Sequence, residues 1–456
     1  MALADSVHAL LASPPTIGVE AYDGSAVDPT AKQATVIIRR PEAIGRLVRA
    51  PGELGLARAY VAGDLDLDGD PYTVLELGFT GGAPQLDTGA LLRLLRSAGP
   101  TAWRSVLTPP PPPAEEAHLR GWLHSRGRDA DAIAHHYDVS NEFYAMVLGP
   151  SMTYSCAVFD DPDEPLEVAQ ARKYELICAK LDLQPGDRLL DVGCGWGEML
   201  MHAVRHHDVQ GVGITLSRRQ AELARERVAR AGLADRIEIR IQDYRDITDG
   251  PFDAISSIGM FEHVGRSAMQ TYARRLHDLL AEGGRLLNHA IARPIVMGHD
   301  DPPSPLRTTL RRIAVAVGSR VPSRIDSELM RRYVFPDAEL HEVGSTVSLL
   351  NEVGLEVRHS ENLREHYALT LRRWVANLDA HWPEAVAEVG EGRARVWRLY
   401  MAACALGFER HSTEVHQVLA VRNRDGYDAG IALRPDFATD VIDLTDELTE
   451  AGAAAM

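Results

Sequence analysis

The residues best placed to do chemistry begin at Asp191. It sits in a mostly apolar run, Arg188 to Val192, which is followed by Gly193, Cys194, Gly195, Trp196 and Gly197. Glycines two residues apart let a backbone turn sharply and come close to a ligand. A strand entering such a turn, with a helical pattern from Met199 to Arg205 after it, turns amide N–H groups and a helix N-terminus towards a nucleotide-like group. The chemistry implied is cofactor binding. A turn that needs glycine for packing alone is the plainer alternative, and the residues downstream weigh against it.

Those residues bear on which cofactor. A dinucleotide site carries an acidic residue about 20 positions on, at the end of the second strand. Here the second strand, Val209–Ile214, runs into Thr215-Leu216-Ser217, with Gln220 close behind and no carboxylate. Thr215, Ser217 and Gln220 suit ribose hydroxyls. After the third strand, Gln242 and Asp243 follow, the carboxylate able to accept from an adenine amino group. After the fourth come Met260-Phe261-Glu262-His263-Val264-Gly265. This set favours S-adenosylmethionine and a methyltransferase over a nicotinamide dehydrogenase.

The elements that must position these residues alternate. Strands are expected at Arg188–Val192, Val209–Ile214, Ile237–Ile241, Ala254–Ile258 and Arg285–Ala290, with helices such as Ser217–Ala231 and Ser267–Leu280 between them. That alternation implies a parallel sheet covered on both faces, a doubly wound α/β domain. Leu355–Arg358 and the helix Tyr367–Leu378 continue it. Ahead lies a smaller α+β unit, residues 1–107, with a strand at Gln33–Arg40 and a helix at Pro41–Arg49. Asp64, Asp66, Asp68 and Gly69 match the opening of a calcium loop, but Leu75 stands where a bidentate Glu is needed, so a solvated turn is expected. Five prolines, Pro109–Pro113, mark a linker at 108–119. The second domain then spans 120–434, interrupted by an insertion at 292–332, and an acidic tail covers 435–456. Within the insertion, Leu306 to Arg332 holds seven arginines against two acids, which fits either a membrane-surface helix or an ordinary lid.

Composition narrows the class. The chain has 456 residues, 45% hydrophobic and 25% charged, with a formal net charge of −17. That charge argues against a general nucleic-acid binder and against broad attraction to anionic membranes. The four cysteines, Cys156, Cys178, Cys194 and Cys404, lie far apart, which suggests neither zinc nor a disulfide framework and fits a reduced, cytoplasmic setting. The first residues lack the basic start of a secretory signal.

With these motifs in place, the chain resembles the cyclopropane-fatty-acyl-phospholipid synthase family, which includes the mycolic acid cyclopropane synthases. The resemblance rests on His136–Tyr144, Met152–Cys156, Leu190–Gly197, Gly213–Gln220, Met260–Gly265, Tyr333–Pro336 and Tyr367–Trp374, in family order. It implies a Rossmann-like class I methyltransferase domain preceded by a lipid-handling domain. It also implies that S-adenosylmethionine methylates the double bond of an acyl chain in a phospholipid, after which a bound bicarbonate ion takes a proton and a cyclopropane closes. The family holds that ion with residues matched here by Cys156, Glu262, His289, Ile291 and Tyr367. The cofactor set implied adds Tyr154, Ser155, Cys194, Trp196, Leu216 and Phe261 to the residues above. Glu198 departs from the small residue usual after the glycine turn, and the insertion is long for the family. A methylene-branched product, handed to a reductase, is therefore the second reading. A non-catalytic lipid-binding relative and a small-molecule methyltransferase are weaker alternatives. The expected setting is peripheral, on a bilayer surface at the inner face of the membrane, with a homodimer as one option.

Overall fold

The computed structural model describes residues 2–12, 14–50, 52–80, 88–117, 139–294, 327–335 and 338–437. The segment Leu306–Val317, His136–Asp138 and the chain beyond residue 437 lie outside them. Two compact units result. The first holds residues 1–118 together with 322–336 and 378–406, and the second holds the remainder. The sequence places 120–434 in the second domain, with an insertion at 292–332. The stretch 378–406 instead joins the N-terminal unit because its buried Arg395 finds its partners there, in Asp66 and the carbonyls of Tyr60 and Leu65.

The first unit carries a four-stranded sheet, β1 (Ile17–Ala21), β2 (Ala26–Val27), β3 (Ala34–Ile38) and β4 (Leu65–Gly69), in the order β2-β1-β3-β4. Ile17, Val36, Ile38, Ala59, Tyr60 and Leu65 form one of its cores. β4 corrects an expectation. Asp64 to Asp70 is not a solvated turn: Leu65–Gly69 pairs antiparallel with β3 throughout. Leu65, Asp66, Leu67 and Asp68 alternate apolar and acidic, which is a strand pattern. Ion pairs take up the first two carboxylates, Asp64 with Arg46 and Asp66 with Arg39 and Arg395.

The second unit is a seven-stranded sheet. Its strands are β5 (Arg188–Val192), β6 (Gln210–Thr215), β7 (Ile237–Ile241), β8 (Phe252–Ile258), β9 (Leu280–Ala292), β10 (Glu356–Asn362) and β11 (Glu414–Val421), in the order β10-β11-β9-β8-β5-β6-β7. The five strands from β7 to β9 are parallel, β11 runs antiparallel to them, and β10, antiparallel to β11, runs in their direction again. The strand order reverses at β5, which lies between β6 and β8, and crevices at such a switch point take ligands. The five expected strands all form, within a few residues of their predicted ends. Burial on both faces explains why Leu189-Leu190-Asp191-Val192 reads as a continuous rather than an alternating run.

Candidate active site

The site begins where β5 ends. Gly193, Gly195 and Gly197 all take positive φ, 85°, 54° and 87°, a region costly for other residues. The amides of Gly193 and Cys194 donate to the Ile214 carbonyl, each at 3.0 Å. This pins the turn to β6 and leaves the Gly195 and Trp196 amides without such a bond among the described residues. Gly213 is needed for a second reason. A Cβ there would come within 2.7 Å of Leu200 and 2.8 Å of the Cys194 sulfur, so the turn and the following helix, Glu198–His207, pack directly on bare backbone.

A cavity opens at this turn. Among its walls are Tyr154, Ser155, Asp191, Gly193, Cys194, Gly195 and Trp196. Thr215, Leu216, Gln220, Gln242 and Asp243 complete the expected part of the lining, and Lys173, Met260 and His263 join it. Twelve of the fifteen proposed cofactor residues thus meet in one place. The other three do not line it. Gly197 serves the turn, and Phe261 is buried in the core with Tyr272. Ser217 caps the helix Arg218–Arg230 by accepting from the Gln220 amide. Thr215 donates to the Gln220 side chain at 2.9 Å, and Asp243 is engaged by Arg245. Asp191 accepts from Ser256 at 2.8 Å, and burial raises its carboxyl to about 6. Glu198, the departure noted in the sequence, is paired with Arg227 at 2.6 Å.

The five residues expected to hold an anion fall into two groups, Glu262 with His289 and Ile291, and Cys156 with Tyr367. Glu262 lies on the short helix Phe261–Val264, directly after β8. Its Oε1 accepts from the Ile291 amide at 2.7 Å, while its Oε2 is buried without a partner among the described residues. Burial raises this carboxyl to about 7. His289 and Ile291 are two residues apart on β9 and so share a face. The His289 Nδ1 meets the Gln417 amide at 3.3 Å, and its Nε2 is likewise buried and unpartnered among the described residues. Burial, aided by Lys173, Lys180 and His416, pushes the His289 imidazole down to about 3, so the ring is neutral. Cys156 is fully buried, its sulfur 3.2 Å from the Ala157 carbonyl and 3.7 Å from that of Leu363. Burial pushes its thiol far up, which makes it a weak donor and no nucleophile. Leu363 also receives the Tyr367 amide, so Cys156 and Tyr367 meet at the start of the helix Arg364–Ala380.

Sequence reasoning missed several residues. Lys173 is fully buried, donates to Ser155 at 3.0 Å and is lowered by burial to about 7. Trp374 links the cavity wall to Tyr367, its ring 5.3 Å from that of Tyr154 and 6.1 Å from that of Tyr367. A signal for the lysine existed: Gln170, Lys173 and Lys180 repeat at helical spacing on the buried stripe of the helix Leu166–Leu181. Cys178, His202 and His207 offer ligand atoms within 4.8 Å of one another, but both imidazoles already bond the Glu175 carboxylate. That cluster is an internally satisfied network.

A doubly wound sheet with one antiparallel strand, β11, set between β9 and β10, and a glycine-turn cavity at its switch point defines a class I S-adenosylmethionine-dependent methyltransferase fold. A solved mycolic acid cyclopropane synthase, complexed with SAH and CTAB, has the same fold, with a TM-score of 0.56 and 32% identity over 64% of this chain and 97% of that one. The chain belongs to the mycolic acid cyclopropane synthetase family, whose model matches residues 124–418. It is 45% identical to a probable fatty acid methyltransferase of Mycobacterium tuberculosis, over 91% of this chain and 93% of the relative. It is 30% identical to the cyclopropane-fatty-acyl-phospholipid synthase of Escherichia coli, over 85% and 88%.

Proposed function

We propose that this protein transfers the methyl group of S-adenosylmethionine to the double bond of an unsaturated acyl chain in a membrane phospholipid, giving a cyclopropane. One observation carries the reading. Two polar atoms of the cage, Glu262 Oε2 and His289 Nε2, are buried and unpartnered among the described residues. Leaving such atoms unmet costs about 1–3 kcal/mol each. A small anion able both to accept and to donate fits them, and bicarbonate is such an ion.

Bicarbonate supplies a base: methyl transfer to one alkene carbon leaves a cation on its neighbour, and loss of a methyl proton to the base lets the ring close. The chain's own groups do the rest. His289, held neutral, offers an N–H to the anion's oxygen. Glu262, fixed through the Ile291 amide, faces it with an oxygen whose protonation is set by burial. Tyr367 donates a third hydrogen bond through its phenol, and Cys156 adds a weak S–H donor. The aromatic series Tyr154, Trp374 and Tyr367 gives positive charge a π-rich wall, worth roughly 0.5–2 kcal/mol. Apolar burial keeps water from trapping the cation.

The relative at 45% identity is named a probable fatty acid methyltransferase and not a cyclopropane synthase, which is compatible with a second reading: the same transfer followed by a hydride shift and proton loss to a methylene branch, for a reductase to saturate. Vesicles of monounsaturated phospholipid incubated with methyl-labelled S-adenosylmethionine separate the two by NMR of the released acyl chains. Label in a ring supports the first, and label in an exocyclic methylene supports the second. No label in lipid while SAH still binds would overturn both.

A further inference from the structure

We propose that Lys180 and Gln417 act as positioning residues that fix the tautomer of His289, so that its Nε2 always carries the proton. The inference rests on the reading of His289 as part of the anion cage, and it adds how the ring is set. His289 and Gln417 are direct partners in the antiparallel pairing of β9 and β11, so their side chains lie side by side on one face. Both are buried. The contact between them runs from Gln417 Nε2 to His289 Nδ1 at 3.3 Å.

An amide nitrogen only donates, so Nδ1 must accept, and the ring proton is driven to Nε2. That holds only if the Gln417 amide cannot turn over. Lys180 prevents it. Its buried Nζ donates to Gln417 Oε1 at 2.6 Å, and reversing the amide would press an NH2 group against an ammonium. Glu361 bonds the same Nζ and keeps its charge matched. The order of donors is therefore Lys180 to Gln417, Gln417 to His289, and His289 Nε2 to whatever occupies the cage. A neutral imidazole with the opposite tautomer would present a lone pair there and could give no hydrogen bond to the anion's charged oxygens.

The test uses the full-length chain with ring-15N-labelled histidine. Long-range proton–nitrogen correlation identifies each tautomer, and the His289 signals are assigned by their loss in His289→Gln. The Nε2–H form is expected. Gln417→Glu, nearly isosteric and paired with Lys180, turns a donor into an acceptor. It is expected to move the proton to Nδ1 and lower kcat for methyl transfer about 10- to 100-fold with SAH affinity unchanged. A wild-type ring in the Nδ1–H form would overturn the relay. So would full activity in a Gln417→Glu chain whose tautomer has switched. A wild-type Nε2–H ring in a chain that methylates no lipid would leave the relay intact and overturn the function assigned above.

Discussion

Glu262 shows most directly how the site is built at the cost of stability. Burial holds its folded pKa near 7 against 4.5 for the free group. Between those values the native state keeps a proton that the unfolded chain has released, so stability falls as pH rises through that window. The cost above the upper value is on the order of 3 kcal/mol. His289 has the opposite sense. Its folded pKa of about 3 lies below 6.5, so stability is lost as pH falls through 6.5 towards 3. Glu262→Gln keeps an acceptor for the Ile291 amide and cannot ionise. We expect it to unfold at a higher temperature than wild type at about pH 8, with the gap closing towards about pH 4.5. Thermal unfolding across that range checks this, and a gap that does not change with pH would refute the assignment.

At the scale of the element, the turn between β5 and its helix and the cap after β6 make separate demands. Gly213→Ala pushes a methyl into Leu200 and Cys194, at an expected cost of about 1–3 kcal/mol. Because Cys194 is in the cofactor turn, SAH affinity should fall along with the melting temperature. Ser217→Ala should behave differently. The structure uses Ser217 as a helix cap, so about 1 kcal/mol of stability is expected to go while SAH affinity, measured by calorimetry, stays the same. A large loss of affinity would restore the ribose contact read from sequence.

These cases also show what the chain made legible. β5, β6 and β8 stood out because both their faces are largely buried and their sequences run mostly apolar, and the edge strand β7 because Ile237, Ile239 and Ile241 alternate with charged residues. β4 is hard to read from sequence because four carboxylates, Asp64, Asp66, Asp68 and Asp70, mask the two-residue alternation of Leu65 and Leu67. The cavity residues were legible wherever a turn follows a strand, as at Asp191–Trp196, Thr215–Gln220 and Gln242–Asp243. The Lys180–Gln417–His289 relay was not, since its members come from a helix and two strands, with Lys180 and Gln417 237 residues apart. The pairing of β9 with β11 sets His289 beside Gln417, and the helix Leu166–Leu181 brings Lys180 to them.

For the whole molecule, the division into units makes a prediction about truncation. A chain starting at residue 119 keeps the methyltransferase sheet but strips buried Arg395 of Asp66 and of two backbone carbonyls. Breaking a buried pair in this way costs about 3–5 kcal/mol. Soluble yield and melting temperature are both expected to drop sharply, and a truncated chain as stable as the full one would show that 378–406 does not depend on the N-terminal strands.

The central claim is that Glu262 acts in the chemistry and not in holding the cofactor. Its most direct test is a paired measurement on wild type and Glu262→Gln: SAH affinity by calorimetry, and transfer of labelled methyl from S-adenosylmethionine to unsaturated phospholipid vesicles. The account predicts equal affinity and a loss of transfer of about 100-fold or more, the range seen when general-base catalysis is lost. Transfer at the wild-type rate in the variant would contradict it.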